Sequence, residues 1–216
     1  MLLCCCAVDD KAPPEVESEE RIPATRPFIQ TTPAFRPDSI PDVFMVSVTT
    51  KSSPLGIVLD VTNPECAVVK EISQGPVRDW NQDCSEDKRV MLLDRILEVN
   101  GVRGSSIELA KALGNPDTQE FSITMQRPEE RRVQLHRPGE IGIIMNYKKV
   151  GAIAPWISKI MPGLLSQWNE NMPDQAVCIH DRIVAVNGES GNTEELLAKI
   201  RASQETLELT VLHYAI

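Results

Sequence analysis

Residues 94–101 read DRILEVNG, and residues 181–188 read DRIVAVNG, the same eight-residue phrase at an offset of 87. Repetition at a fixed spacing settles the organisation of a chain before any single element is assigned. The flanking segments repeat in the same order. ISQGPVRDWN at 72–81 corresponds to IMPGLLSQWN at 160–169, LGIV at 55–58 to IGII at 141–144, and FSIT at 121–124 to LELT at 207–210. The small drift in offset places one- or two-residue changes in the loops between matched blocks. The chain therefore reads as a tail, 1–41, followed by two copies of one unit, 42–127 and 129–214.

Each copy is at the small end of the range in which a domain buries its own core. The tail is different in kind. It holds seven of the sixteen prolines and the acidic run Glu15-Val16-Glu17-Ser18-Glu19-Glu20, with little apolar periodicity. Such a composition buries too little surface to offset chain entropy, so disorder or an extended form is expected. Acidic residues outnumber basic ones seven to four in the tail, thirteen to nine in the first copy and eleven to nine in the second, giving the net charge of −9. No stretch is basic enough to track a phosphate backbone, which disfavours nucleic acid as a partner. No apolar run reaches membrane-spanning length, and Met1 to Ala7 is too short for a secretory h-region, so a cytoplasmic chain is expected.

Within the first copy, Asp42 to Val48 alternates as a strand with one buried face. Pro54 turns the chain into a second strand, Gly56 to Val61, and a third follows at Ala67 to Ile72. Gly75-Pro76 opens a short helical turn carrying Val77 and Trp80. Val90 to Val99 then runs to the turn-forming pair Asn100-Gly101. A longer helix begins at Ser106 and stops at Gly114, and Phe121 to Met125 closes the unit. The second copy repeats this: strands at Arg131–Leu135, Gly142–Tyr147, Ala152–Ile160, Ala176–Val186 and Leu207–Leu212, the Trp168 helical turn, and a helix from Thr193 to Ala202. The fold class is mainly β with two helices per unit, each a small partly open β-sandwich or barrel. Strand two should lie beside the longer helix, with a groove between them and an edge open to an added strand.

The order of elements, the turns Pro54-Leu55-Gly56-Ile57 and Glu140-Ile141-Gly142-Ile143, and the DRILEVNG phrase before the longer helix resemble PDZ domains over nearly everything beyond the tail. The resemblance implies a non-enzymatic scaffold or adaptor that captures the C-termini of partner proteins as added strands, the turn amides holding the terminal carboxylate. Carried onto this sequence, the donors are Leu55, Gly56 and Ile57 in the first copy and Ile141, Gly142 and Ile143 in the second, with Lys51 and Arg137 as nearby basic residues. Ser106 and Thr193 stand at the helix-start position that often holds an imidazole selecting Ser or Thr at the third-last peptide residue, a selection these hydroxyls do not provide. The last peptide side chain would enter a pocket of Leu55, Ile57, Ala110 and Leu113, or of Ile141, Ile143, Leu197 and Ile200. The family's usual first turn glycine is Pro54 here, which lacks an N–H, and Glu140 in the second copy, which sets a negative charge beside the expected anion. The first copy is on that ground the better carboxylate binder. The alternative is a structural or lipid-associated tandem whose grooves bind no peptide.

Other features read more plainly. Asp94 and Asp181 are strand-start residues that bond nearby backbone, in preference to acid–base groups. Trp80 and Trp168 are core candidates. His136, His180 and His213 share no spacing suited to metal, and Cys66, Cys84 and Cys178 match no zinc or redox pattern, so neither metal nor cofactor is expected. No catalytic motif occurs with its required context, so no enzyme is expected. Cys4-Cys5-Cys6 beside Leu2 and Leu3 resembles an S-acylation site, which would place the chain at the inner face of a membrane. Tyr214-Ala215-Ile216 has the form of a terminus that a PDZ groove accepts, which suggests weak self-association.

Overall fold

The computed structural model describes residues 43–50, 54–147 and 152–214. Two antiparallel sheets follow one another along the chain. The first contains β1 (Val43–Thr49), β2 (Ile57–Asp60), β3 (Val68–Ile72), β4 (Arg95–Val99) and β5 (Glu120–Gln126), in the order β1-β5-β4-β3-β2. The second contains β6 (Glu129–His136), β7 (Ile143–Asn146), β8 (Trp156–Ile160), β9 (Arg182–Val186), the two-residue β10 (Glu189–Ser190) and β11 (Thr206–His213). Its path is β6-β11-β9-β8-β7, with β10 pairing β9. The helices are α1 (Pro76–Asp83) and α2 (Ser106–Leu113) in the first unit, α3 (Leu164–Asn171) and α4 (Thr193–Ala202) in the second. No helix among the described residues is long and apolar enough to cross a membrane.

The repeated phrase fixes the same corner in both units. Asn100 and Asn187 take φ of 49° and 53° and are followed by Gly101 and Gly188 at 82° and 76°. Positive φ at consecutive positions is what an Asn-Gly turn supplies at least cost. Asp94 and Asp181 are buried, and each carboxylate accepts the backbone N–H three residues earlier, from Met91 at 2.7 Å and from Cys178 at 2.8 Å. The longer helices begin on capping boxes, Ser105 with Glu108 and Asn192 with Glu195.

Three expectations are corrected. The helical turns carrying Trp80 and Trp168 are full eight-residue helices, α1 as long as α2, and the residue after each tryptophan, Asn81 or Asn169, ties that last turn to the backbone of Val90 or Val177. The strands expected from Val90 and Ala176 begin only at Arg95 and Arg182, since Leu93 and His180 adopt φ of 70° and 78° and the Asp carboxylate closes a turn there. The strand expected from Ala152 begins at Trp156.

Each unit has its own core. Val46, Val69, Val77, Ile96, Leu109 and Ile123 lie in the first, and Val133, Ile157, Leu165, Ile183, Leu196 and Leu209 in the second. A third cluster joins the units: Cys66 and Val68 of the first unit pack with Tyr214, against Leu93, Ile153 and Leu212. The Tyr214 hydroxyl donates to the Leu93 carbonyl at 2.9 Å. Beside it, Asp60 at the end of β2 meets Arg182 at the start of β9 at 2.7 Å, both side chains fully buried. The Asp60 carboxylate also accepts from the Thr62 N–H and hydroxyl and from the Ile153 N–H. Burial works to raise its pKa, but the Arg182 charge and these bonds outweigh it and hold the carboxyl below its usual value. Burial pushes the Cys66 thiol up to about 11.

Candidate functional site

The two turns that lead into β2 and β7 carry the candidate site. Gly56 and Gly142 sit at φ of 80° and 78°. A Cβ on Gly56 would stand 2.9 Å from the Ser73 and Gln74 carbonyl oxygens, and one on Gly142 would stand 2.5 Å from that of Met161. Only glycine fits so close to the incoming backbone.

The carbonyls of these turns point inward. The Leu55 oxygen accepts from the Val77 N–H at 3.1 Å and that of Gly56 from the Ser73 N–H at 2.7 Å. In the second unit Glu140, Ile141 and Gly142 accept from the N–H groups of Leu164, Leu165 and Met161 at 2.8, 3.0 and 2.7 Å. A trans peptide unit aims its N–H opposite to its C=O. The N–H groups of Gly56 and Ile57, and of Ile141, Gly142 and Ile143, are therefore turned away from the helix and strand behind them. A run of such amides is a concave anion cradle of the kind that receives a carboxylate. The units differ by one anchor, because Pro76 holds the place of Leu164 and has no N–H to give the Pro54 carbonyl.

Beyond each turn the strand edge is open. β2 and β7 end their sheets, pairing only with β3 and β8. The bond from Ser73 to Gly56 makes Ile57 and Ile72 a non-hydrogen-bonded pair, and that from Met161 to Gly142 does the same for Ile143 and Ile160. In such pairs the N–H and C=O of both residues face away from the partner strand, so Ile57 and Ile143 offer theirs to an added strand.

Leu55 is buried and joins one apolar cluster with Ile57 and Leu113, while Ala110 is half-buried on the same helix. Ile141, Ile143 and Ile200 come together in the second cluster, and Leu197 is as buried as Ile200. Thr193 is half-buried at the start of α4. The Arg137 guanidinium bridges the Gly139 carbonyl at 3.3 Å and that of Ile200 at 3.0 Å, which sets a cation between the turn and the end of α4. Lys51 lies outside the described residues. One cavity of about 570 Å³ lies between Thr49, Pro54, Gly75 and Arg78, and another of about 330 Å³ between Leu135, His136, Leu164 and Trp168.

Two expected site residues are otherwise engaged. Ser106 is fully buried, its hydroxyl donating to the Asn63 carbonyl and its N–H to that of Pro64 at 2.8 Å. It stitches the β2–β3 loop to the start of α2. Tyr214 is locked between the units with 1 % exposure and is not part of a free terminus. Ala215 and Ile216 lie outside the described residues. Sequence reasoning missed Asp60 and Arg182. The signal for Asp60 was an acid closing an apolar strand, whereas Arg182 has a counterpart, Arg95, that is only half-buried and reaches the Glu65 carbonyl at 3.0 Å.

Each unit repeats one path of five antiparallel strands with two helices, the element order whose sequence resembles PDZ domains. No family model matches the chain, and no curated protein matches it. Among solved structures, it is similar to INAD PDZ45 in complex with NORPA CC-PBM, at 15% identity over 85% of this chain and 97% of that one, with a TM-score of 0.35. INAD PDZ45 in complex with NG2 peptide matches at 14% identity over 86% and 96%, with a TM-score of 0.36. Dlg1 PDZ2 of the choanoflagellate Monosiga brevicollis matches at 22% identity over 39% of this chain and 92% of that one, with a TM-score of 0.32.

Proposed function

We propose that the chain is an adaptor that binds the C-terminal peptides of other proteins by strand addition along β2 and β7. The observation that supports this reading most directly is the inward capture of the turn carbonyls, which leaves a row of amides facing an open strand edge. A peptide entering there gains main-chain bonds at Ile57 or Ile143 and an amide cradle for its carboxylate, while its last side chain reaches toward Leu113 or Ile200. Two linked grooves raise avidity through effective concentration. Acylation of Cys4, Cys5 and Cys6, which lie outside the described residues, would hold such an adaptor at the cytoplasmic face of a membrane.

A library of C-terminal peptides, each with a free and an amidated terminus, tests this with the full chain. Selective binding that requires the free carboxylate and is lost in the Leu113→Lys, Ile200→Lys double variant supports the adaptor. Absence of any enriched sequence rejects it in favour of a structural tandem, a reading favoured by the buried joint between the units. Mass spectrometry of the N-terminal peptide before and after hydroxylamine tests the anchor, and a peptide without acyl adducts removes it.

A further inference from the structure

The two copies frame a buried carboxylate in the same way and then part company around it. In the first, the turn 91–94 wraps the Asp94 carboxylate and the Arg127 guanidinium completes it, with Nε 3.3 Å from Oδ1. The partner positions in the second copy follow from strand register: Arg95 faces Gln126 across β4 and β5, and Arg182 faces Leu212 across β9 and β11. Arg127 thus corresponds to His213, and Met91, at the repeat offset, to Cys178. Both residues that change beside the carboxylate change into metal-ligand types.

They also converge. The Cys178 sulfur, an Asp181 oxygen and a His213 nitrogen all lie within 4.8 Å of one another. His213 Nδ1 is 3.0 Å from Asp181 Oδ1 and 3.1 Å from Oδ2. The carboxylate also accepts N–H groups, from Cys178 at 2.8 Å and Tyr214 at 3.1 Å. Asp181 is fully buried, His213 is 12% exposed along its side chain and Cys178 is exposed. A buried carboxylate calls for a compensating charge. The first copy supplies it with a fixed guanidinium, and the second places an imidazole and a thiol there instead.

We propose that Cys178, Asp181 and His213 form a binding site for Zn²⁺ or a similarly thiophilic divalent cation. Sulfur, nitrogen and oxygen donors in one small cluster suit this class, and the exposed side of Cys178 leaves a fourth position for water. On binding, the Cys178 S–H loses its proton to solvent as the sulfur–metal bond forms, with no change of oxidation state. The cation would brace the joint between the units, because Asp181 precedes Arg182 and His213 precedes Tyr214, the two residues that hold the first unit. Residues 178 and 213 are 35 positions apart, which hid the cluster from spacing rules.

The test is a Co²⁺ and Zn²⁺ titration of the full-length chain carrying Cys4→Ser, Cys5→Ser and Cys6→Ser, which removes the tail thiols from competition. One equivalent of Co²⁺ giving a thiolate charge-transfer band, together with a Zn²⁺-dependent rise in melting temperature, is the expected result. Cys178→Ser should lose the band and weaken binding at least tenfold, the scale of disrupting a metal's ligand environment. His213→Arg recreates the first copy's ion pair and should remove binding while melting normally without metal. No band in the parent, or a band that survives Cys178→Ser, overturns the proposal. The exposed Cys178 keeps this decisive even if the His213 variant fails to fold.

Discussion

Gly56 and Gly142 each combine positive φ with a Cβ position occupied by backbone oxygen. Gly142→Ala should cost about 1–3 kcal/mol in stability, read from chemical denaturation, and remove carboxylate binding by the second unit. Glu140, exposed beside that turn, repels an incoming anion. Glu140→Gln should strengthen peptide binding to the second unit by a few-fold, in line with about 0.5–1 kcal/mol for a surface charge, and fluorescence polarisation with a C-terminal peptide reads it. At Asp94, burial pushes the carboxyl up to about 6 against the opposing Arg127 bond and charge. The unfolded value is about 4, so the native state holds the proton more tightly. The resulting stability is fully present below about pH 4 and is lost as pH rises through about 6, by roughly 3 kcal/mol. The stability of the parent relative to Asp94→Asn should therefore fall between pH 4 and pH 7 in denaturation curves. An unchanged difference would refute the shift.

The helices show how far an element is written in its own residues. α4 runs Thr193–Ala202, as the sequence predicts, because Asn192 accepts from the Glu195 N–H at 3.0 Å and Glu195 answers to the Asn192 N–H at 3.0 Å. Both groups are local, so the signal survives without tertiary knowledge. Asn192→Ala should cost about 1 kcal/mol, measurable as a lowered midpoint in urea. The apolar letters at 90–93 and 176–179 predict strands that start earlier than β4 and β9 do. The backbone there instead turns back on a buried carboxylate. Periodicity sees side-chain polarity and not the hydrogen-bond demand of one acid. The turn glycines of the candidate site were legible for the same reason as the caps: their constraint is steric and close in sequence. The engagement of Ser106 with Asn63, 43 residues away, was not.

At the scale of the whole molecule, the end of the β2–β3 pair in the first unit meets the second through Asp60, Cys66, Val68, Arg182 and Tyr214. Removing one partner of a buried pair leaves the other charged and unpaired, so Arg182→Met should destabilise by about 3–5 kcal/mol. Arg95→Met, the same letter in the other copy and half-buried, should cost far less by the same thermal or chemical melt. Equal losses would refute a joint held by this pair. The amino-acid sequence alone determined the two-copy plan, the order of elements and the glycine turns, because each depends on patterns and sterics within a few residues. Tertiary structure decided which copy's arginine is buried, that Tyr214 is sealed in a joint, and that Cys178 meets His213. Those depend on which face of one unit lands on the other, and two nearly identical phrases cannot encode that difference locally.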